Sequence, residues 1–480
     1  MENLELFFIP SPLMGHAGQA IELARLFVKC FHHLTATVLI MKLPTDPIGT
    51  DYLDSLADDN RIKYIHFPPM DLDLFQDCPT VGFMADAVIN RHKPIIRELV
   101  ATRFTGSGSS RVHRLGALVV DMFCTPMIDV SKEFDVPSYV FFPSNAAFLG
   151  IMFHFQTLQD DEGQDISELA QLGTKLSVPS YTSPVPLSVL PRVLLDKDQW
   201  SKRFIHYVRK YIEARGIIIN TFVELEHHAL QSFDDKTPPI YTVGPLLKPE
   251  KTSSNDEVLQ WLKGQPKSSV LLLCFGSRGW FKADQVREIA FAIERSGYRF
   301  IWSLCQPPSE GLKGFPQEYT DYNEVLPDGF LERTTNKGKV VGWVPQTEIL
   351  ADVATRGFIS HCGWNSVLES LWYGVPIGTW PIYAEQQLDA FQMVKDLGMA
   401  VEISLDYNQI GKIQKVVSAE DIEKGIREVM DENSVVRAKV KKMQAMSRMA
   451  LEEGGSSFAS LTSLVDDIMQ QSSQISSKLK

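Results

Sequence analysis

Side chains suited to binding a nucleotide sugar are concentrated between Trp343 and Gln387 of this 480-residue chain. The segment holds an aromatic ring at Trp343, several amides, a histidine and carboxylates, along alternating strand-like and helix-like patterns. A flat ring can cover a base, and a glutamate can accept hydrogen bonds from ribose hydroxyls. A carboxylate beside an amide can read the hydroxyls of a hexose. The types and spacing therefore favour a site for a nucleotide sugar.

A strand, a tight turn and a helix start follow one another in the middle of this segment. Residues 358–360 have the apolar pattern of a short strand, Gly363 permits a turn, and Asn365 and Ser366 open a helical pattern. The free amides and the positive dipole end of such a helix attract phosphate. Taken singly, Asn365 and Ser366 are equally well explained as caps, and His361 as an ordinary loop histidine. Their occurrence beside the other polar groups of the segment favours a diphosphate site.

Residues 343–386 resemble, without a gap, the signature box of plant secondary-product UDP-glycosyltransferases. Shorter matches to that family extend through most of the chain, at residues 12–16, 119–121, 219–221, 243–245 and 274–277. The similarity is strongest to the branch that glucosylates flavonoids and other small phenols. The resemblance implies an α/β protein with two facing Rossmann-like doubly wound domains, the B-type glycosyltransferase fold. It also implies a last helix that crosses back to the first domain.

The same resemblance implies a role for each residue of the donor site. Trp343 would stack on uracil with Val344 and Gln346 near the base, and Glu369 would bind the ribose hydroxyls. Ser277, His361, Asn365 and Ser366 would hold the diphosphate, whereas Trp364, Glu385 and Gln386 would read the sugar. A glutamine at position 386 is the residue type that the family associates with glucose donors. UDP-glucose is therefore the expected co-substrate.

His16 and Asp121 form the candidate catalytic pair. His16 follows the first predicted strand, and Asp121 ends the strand predicted over residues 117–120. In the common doubly wound strand order these two strands flank the point where the order reverses, which is where ligands bind. A carboxylate partner fixes the tautomer of a histidine and makes it a better base. Spacing alone also allows a turn histidine and a helix-capping aspartate, but the resemblance implies the catalytic histidine and its partner at these positions.

The acceptor side is predicted to be apolar. Its wall is expected to comprise Leu13, Met84, Phe123, Phe142 and Leu149, with the loop around Leu187 as a cover. Each of these residues could equally belong to the core, and the wall would suit a planar phenol or a terpenoid alcohol. Two positions depart from the family pattern: Leu13 replaces a frequent glycine, and Arg278 stands where an uncharged residue is usual.

Composition excludes several other classes of protein. A formal net charge of -12 argues against nucleic acid and anionic membranes as partners. The most apolar run, residues 138–155, contains a proline, an asparagine and a histidine, so no transmembrane segment is predicted. The six cysteines form no CxxC pair and fit reduced thiols, and the first residues lack the pattern of a signal peptide. We therefore expect a cytoplasmic monomer.

Strand and helix signals alternate along the chain and predict two parallel sheets. The expected divisions are an acceptor-binding domain over residues 1–247, a polar linker over 248–256 and a UDP-sugar-binding domain over 257–455. A last helix and a polar tail follow over residues 456–480. The first helix is expected from about Gln19, and the tail is expected to fray from Gln470. A proline- and serine-rich stretch over residues 178–191 predicts a long loop that covers the acceptor.

Competing interpretations rest on weaker patterns. Asp71-Leu72-Asp73 resembles the metal motif of another glycosyltransferase class, but a solvated acidic loop explains it better. The glycine-rich run at residues 276–279 is not GxGxxG, which disfavours a nicotinamide oxidoreductase. A non-catalytic nucleotide-sugar binder would keep the 343–386 box but need neither His16 nor Asp121. We therefore expect neither a cofactor nor a metal, and only a UDP-sugar and a small apolar hydroxylated acceptor as partners.

Overall fold

The computed structural model describes residues 3–54, 56, 60–105, 114–166, 168, 174–191, 194, 200–247, 256–308, 315–407 and 415–478. Two parallel sheets organise these residues, with seven strands in the first and six in the second. Apolar clusters lie on both faces of each sheet, where helices cover it. This is the doubly wound α/β architecture that the alternating pattern predicts. We call the first sheet with its helices the first lobe, and the second sheet with its helices the second lobe.

The first lobe reverses its strand order between its first and fourth strands. Its elements are β1 (Leu4–Ile9), α1 (Met14–Cys30), β2 (Leu34–Ile40), α2 (Pro47–Asp54), β3 (Ile62–His66), α3 (Val81–Thr105), β4 (Arg114–Asp121), α4 (Pro126–Glu133), β5 (Ser138–Phe142), α5 (Ala146–Asp160), the hairpin strands β6 (Lys175–Leu176) and β7 (Val185–Pro186), α6 (Trp200–Ile212), β8 (Gly216–Ile219), α7 (Val223–Gln231) and β9 (Ile240–Thr242). The sheet order is β3-β2-β1-β4-β5-β8-β9. Strands β1 and β4 are parallel neighbours, with Ile9 beside Val120.

The second lobe repeats this plan and reverses its order between β10 and β15. Its elements are α8 (Glu257–Lys263), β10 (Val270–Cys274), α9 (Ala283–Ser296), β11 (Arg299–Ser303), the hairpin strands β12 (Cys305–Gln306) and β13 (Gln317–Glu318), α10 (Phe330–Thr334), β14 (Gly338–Val341), α11 (Gln346–Ala351), β15 (Thr355–Ser360), α12 (Trp364–Tyr373), β16 (Ile377–Thr379), α13 (Gln386–Phe391), β17 (Ala400–Glu402), α14 (Ala419–Val429), α15 (Val435–Leu451) and α16 (Ser456–Lys478). The sheet order is β14-β11-β10-β15-β16-β17. The reversal places the ends of β10 and β15 side by side, where a ligand can bind.

The first helix begins at Met14 and not near Gln19, so the prediction of its start was wrong. Leu13 has an extended backbone, and the amides of His16 and Ala17 already donate to its carbonyl oxygen. A glycine is tolerated in the first turn of a helix because the first N–H groups make no bonds within the helix. The helix therefore begins before Gly15 and not after it. His16 therefore lies on the first turn of α1 instead of in a loop before it.

The last helix, α16, packs against the first lobe. The hydroxyl of Tyr139 donates to Asp467 Oδ2 (2.6 Å), and Arg215 pairs with the same carboxylate. The expected fraying from Gln470 is wrong, because α16 continues to Lys478 and buries Ser472. Residues 248–255 of the expected linker lie outside the described residues, and Asp256 caps α8. Within the described ranges, no helix is both long and apolar enough to cross a membrane.

Candidate active site

His16 and Asp121 meet at the point where the order of the first sheet reverses. The Nδ1 atom of His16 lies 2.9 Å from Oδ2 of Asp121, which is the last residue of β4. The other carboxylate oxygen accepts a hydrogen bond from the backbone N–H of Phe123 (3.0 Å). The Asp121 side chain is completely buried, whereas the His16 side chain is 22% exposed. With Nδ1–H donating to this fixed carboxylate, Nε2 is left as the acceptor that a base requires.

Opposing effects act on the pKa of His16. Burial disfavours the charged ring and lowers the pKa, while the charge and the hydrogen bond of Asp121 raise it. The carboxylate of Glu385, from the second lobe, raises it further, and the net result is a pKa above the ordinary value. His16 of the first lobe therefore interacts electrostatically with a residue of the second lobe that was predicted to read the sugar.

Two polar side-chain atoms at the start of α12 have no hydrogen-bond partner among the described residues. The loop after β15 places His361 and Cys362 before this helix, and Cys362 has a left-handed backbone (φ 62°). Among the described residues, Nδ1 of His361 and Oδ1 of Asn365 are buried without a hydrogen-bond partner. Such atoms beside the positive end of a helix are suited to an anion. The structure therefore places three of the four predicted diphosphate residues, His361, Asn365 and Ser366, at one helix N-terminus.

Two glycines enclose the imidazole of His361. A Cβ atom at Gly276 would lie 2.6 Å from Nε2 of His361, and one at Gly363 would lie 2.7 Å from it. Gly276 also has a left-handed backbone (φ 73°), which disfavours any other residue. Burial lowers the pKa of His361 to about 4, so the ring is neutral near pH 7. Ser277, which follows Gly276 in the chain, is exposed.

Gln346, Ser366 and Glu369 form one hydrogen-bonded group. The Nε2 atom of Gln346 donates to Oγ of Ser366 (2.9 Å) and to Oε2 of Glu369 (2.7 Å). Ser366 and Glu369 are one turn apart on α12, so they share a face of that helix. The structure thus joins residues that were predicted to bind the base, the diphosphate and the ribose.

Trp343 and Val344 lie before α11 and are both partly exposed. The backbone N–H of Trp343 donates to Oε1 of Glu318 (3.1 Å), a residue of the β12–β13 hairpin. This contact holds the chain while the Trp343 ring stays accessible. Sequence reasoning missed Glu318, because nothing in a short hairpin strand signals that it faces a loop 25 residues later.

Trp364 and Gln386, which were predicted to read the sugar, hold fixed positions. The indole N–H of Trp364 donates to the backbone oxygen of Asn220 in the first lobe (2.6 Å), and Trp364 is only 3% exposed. In Gln386 the carboxamide oxygen accepts from the backbone N–H groups of Ile382 and Tyr383, both at 3.0 Å. The amide nitrogen of Gln386 is therefore the end that can donate to a ligand. Trp364 instead uses its donor to connect the two lobes.

Glu385 and its neighbours are linked to the first lobe by polar contacts that sequence reasoning missed. The hydroxyl of Ser144 donates to Oε1 of Glu385 (3.1 Å). The amide of Asn145, the N-cap of α5, donates to Oδ1 of Asp389 (2.7 Å) and to Oε1 of Gln392 (3.0 Å). Asparagine after a strand signals only a helix cap, so periodicity could not show these contacts between lobes.

The predicted acceptor residues separate into two groups. Leu13, Phe123 and Leu187 are partly exposed, and the Phe123 ring lies 5.1 Å from the His16 ring between centroids. The other three residues, Met84, Phe142 and Leu149, are 0% exposed and belong to the apolar cluster on one face of the first sheet. In this structure these three side chains are packed in the core of the first lobe and are not accessible to a ligand.

Arg278 and the Asp71–Asp73 motif occupy different environments. The guanidinium of Arg278 lies 4.1 Å from the centroid of the Phe315 ring. Burial lowers the pKa of Arg278. The nearby Tyr383 of the second lobe and Asp46 of the first lobe raise this pKa electrostatically, without cancelling the effect of burial. Asp71 and Asp73 are exposed, and Asp71 accepts a hydrogen bond from the backbone N–H of Asp73 (3.0 Å). Within the described ranges, no group of three or more histidine, cysteine or acidic residues is placed to hold a metal ion.

Comparisons with known proteins match the chain to one family and one fold. Residues 218–448 match the family described as UDP-glucoronosyl and UDP-glucosyl transferase. The chain is 48% identical to the UDP-glucose flavonoid 3-O-glucosyltransferase 6 of Fragaria ananassa, over 97% of this chain and 98% of that protein. The crystal structure of a ugt transferase from Siraitia grosvenorii in complex with UDP is 43% identical, with a TM-score of 0.84 over 97% of this chain and 100% of that one. Medicago truncatula UGT71G1 complexed with UDP-glucose is 38% identical, with a TM-score of 0.84 over 97% and 98% of the two chains.

Proposed function

Because the chain belongs to the family of plant UDP-glycosyltransferases, we propose that it transfers glucose from UDP-glucose to a hydroxyl of a small plant phenol such as a flavonoid. The protein is a UDP-glucosyltransferase that acts on a small acceptor, and the finer proposal concerns the acceptor and the mechanism. The observation that carries the mechanism is the pair of His16 and Asp121, with Glu385 of the second lobe close enough to affect the pKa of His16.

His16 acts as the general base in the proposed mechanism. Its Nε2 takes the proton of the acceptor hydroxyl, while Asp121 stabilises the imidazolium that forms. The acceptor oxygen attacks the anomeric carbon from the face opposite the diphosphate. A new carbon–oxygen bond forms as the bond to the diphosphate breaks, and UDP leaves with the electron pair. An α-linked donor therefore gives a β-O-glucoside, without a covalent sugar–enzyme intermediate.

The second lobe supplies the donor site in this proposal. The Trp343 ring covers uracil with Val344 and Gln346 near the base, and Glu369 binds the ribose hydroxyls. The start of α12, with His361, Asn365, Ser366 and Ser277, receives the diphosphate and stabilises the charge that develops on UDP. Glu385 and the amide nitrogen of Gln386 read the hexose. We accordingly assign acceptor binding to residues 1–247 and UDP-sugar binding to residues 257–455.

Three accessible apolar side chains support a planar phenol as the acceptor. Phe123 lies beside the base, and Leu13 and Leu187 are accessible to a bound ring system. An aromatic ring beside the base allows offset stacking with a phenol, which an aliphatic alcohol cannot match. The name of the Fragaria ananassa relative, a flavonoid glucosyltransferase, agrees with this choice. A terpenoid alcohol is the alternative that the same wall would accept.

The decisive experiment mixes the protein with UDP-glucose and separate panels of flavonoids, simple phenols and terpenoid alcohols. Products are weighed by mass spectrometry, and the anomeric configuration is read by NMR. We expect β-glucosides, with flavonoids at the highest kcat/KM. An α-linked product would overturn the mechanism, and a preference for terpenoid alcohols would overturn the acceptor class. His16→Ala should lower turnover by about 10² to 10⁴ with UDP affinity nearly unchanged, as expected for loss of a general base.

A further inference from the structure

The 181–187 loop, which runs from Tyr181 to Leu187 and includes β7, connects the two lobes. Its strand β7 pairs with β6 of the first lobe, and Thr182 and Ser183 before that strand are hydrogen-bonded to the second lobe. The Asp396 carboxylate of the second lobe accepts a hydrogen bond from the backbone N–H of Thr182 at Oδ2 (3.0 Å). It accepts another from the backbone N–H of Ser183 at Oδ1 (3.1 Å). The two oxygens of Asp396 thus accept one backbone N–H each, and hydrogen bonds to a charged carboxylate are stronger than neutral ones.

Apolar contacts extend this attachment on both sides of the hydrogen bonds. The buried Tyr181 ring lies 6.0 Å from the Phe391 ring between centroids, and Phe391 ends α13. Val185 and Val189 share one apolar cluster with Leu388 and Phe391, and the other buried members of that cluster belong to the first lobe. The 181–187 loop is therefore packed along α13, the helix that begins at Gln386.

The packing of the loop along α13 connects the element that contains Leu187 with the helix that contains Gln386. Leu187 starts the short 3₁₀ turn at the end of the loop and is partly exposed. Gln386 starts α13, and Glu385 is its N-cap. One wall of the proposed acceptor site therefore contacts both lobes: it packs against the helix proposed to read the sugar and against the apolar cluster that Phe123 also contacts.

We propose that Asp396 is a positioning residue for the acceptor, which it serves by holding the 181–187 loop on the second lobe. The inference rests on the proposed function, because it assigns the loop to the acceptor site. Its consequence is that the acceptor wall keeps its place relative to the sugar when the lobes move. Loss of the carboxylate releases the loop and weakens acceptor binding, whereas the uridine and diphosphate contacts are unaffected.

The test compares Asp396→Ala and Asp396→Asn with Glu402→Gln. Glu402 is a matched control because it accepts a bond from Lys395 (2.5 Å), the neighbour of Asp396, in an exposed pair. Acceptor KM and kcat are measured at saturating UDP-glucose, and UDP affinity is measured by calorimetry. We expect Asp396→Ala to raise acceptor KM about tenfold or more, the size of a lost buried contact, with UDP affinity changed less than about twofold. Asp396→Asn should restore part of the loss, since one amide oxygen can still accept.

Hydrogen exchange tests the anchor independently of activity. The amides of Thr182 and Ser183 should exchange faster in Asp396→Ala than in the wild type or in Glu402→Gln. Faster exchange with unchanged acceptor KM would overturn the positioning role, and so would equal losses of UDP and acceptor affinity. Unchanged exchange would overturn the anchor itself. If the wild type glucosylates no acceptor, the proposed function fails, and the exchange data still decide whether Asp396 holds the loop.

Discussion

The imidazole Nδ1 of His16 lies 2.9 Å from Oδ2 of Asp121, although 105 residues separate the two in the chain. They meet because β1 and β4 are parallel neighbours and their carboxyl ends lie at the same edge of the sheet. The carboxylate is buried and is also held by the backbone N–H of Phe123, so it cannot turn away from the ring. The sheet therefore fixes the orientation of the His16 ring. Substitutions of Asp121 should change the pH dependence of the transfer rate.

Asp121→Asn is expected to move the acid limb of the pH–rate profile to lower pH. His16 accepts a proton only when it is neutral, so transfer slows as the pH falls through its pKa. Asp121 raises that pKa and burial lowers it, so removing the charge leaves the lowering effect dominant. Turnover at pH 8 should fall about tenfold or more, because an amide orients the ring less well. Profiles of kcat/KM from pH 5 to 9 check this, and a limb at unchanged or higher pH contradicts it.

The sequence predicted the elements of each lobe far better than the contacts between lobes. The strands predicted over residues 117–120 and 358–360 lie within β4 and β15. Strand β17 was missed, since Ala400–Glu402 is too short to show a period. The contacts of Ser144 with Glu385 and of Trp364 with Asn220 join residues 241 and 144 positions apart. They depend on how two separate sheets face one another, which a pattern of period 2 or 3.6 does not encode.

Gly276→Ala is expected to weaken UDP binding by about tenfold or more, a loss of roughly 1.4 kcal/mol or above. The added methyl would lie 2.6 Å from Nε2 of His361, so the ring must leave its position beside the start of α12. Gly297→Ala is the matched control, because Gly297 has the same φ of 73° and no atom within 4 Å of an added Cβ. Calorimetry with UDP measures both variants. Equal losses in the two would show that backbone strain alone, and not the His361 contact, is responsible.

Trp364→Phe is expected to destabilise the fold without altering the choice of sugar. The change leaves the buried backbone oxygen of Asn220 without its donor, which costs about 1–3 kcal/mol. Trp302→Phe is the control: Trp302 is 0% exposed, and its indole nitrogen has no hydrogen-bond partner among the described residues. Thermal unfolding should show a larger loss for Trp364→Phe. The ratio of activities with UDP-glucose and UDP-galactose should match that of the wild type, and a changed ratio would assign Trp364 to the sugar after all.

Chelation is expected to leave the activity intact. In the proposed site the diphosphate charge is met by the start of α12, His361 and Ser277, and not by a cation held on paired carboxylates. The transfer rate is measured after dialysis against EDTA and again after addition of magnesium or manganese. Asp71→Asn with Asp73→Asn should also retain activity, since both carboxylates are exposed. Loss of activity in EDTA that a metal restores would support the metal-motif interpretation of these residues.

Phe123→Ala is expected to change the ranking of acceptors. The Phe123 ring lies 5.1 Å from the His16 ring and 5.5 Å from the Tyr207 ring between centroids, and it is partly exposed. Removing it deprives a planar phenol of its stacking partner beside the base, whereas a bulky aliphatic alcohol gains room. Flavonoid kcat/KM should fall about tenfold or more relative to terpenoid alcohols, the size expected for losing a contact worth roughly 1–3 kcal/mol.

A second variant separates this effect from general damage to the first lobe. Phe153→Ala removes another partly exposed ring on the same apolar cluster. This ring lies on α5 and packs against Phe233, 6.1 Å away between centroids. The ranking of acceptors should be that of the wild type in Phe153→Ala, and UDP affinity should be unchanged in both variants. Leu187→Ala should also disturb the ranking, because Leu187 approaches the acceptor from the second lobe's side. An unaltered ranking in both Phe123→Ala and Leu187→Ala would place the acceptor site elsewhere, since neither accessible side chain would then contact the substrate.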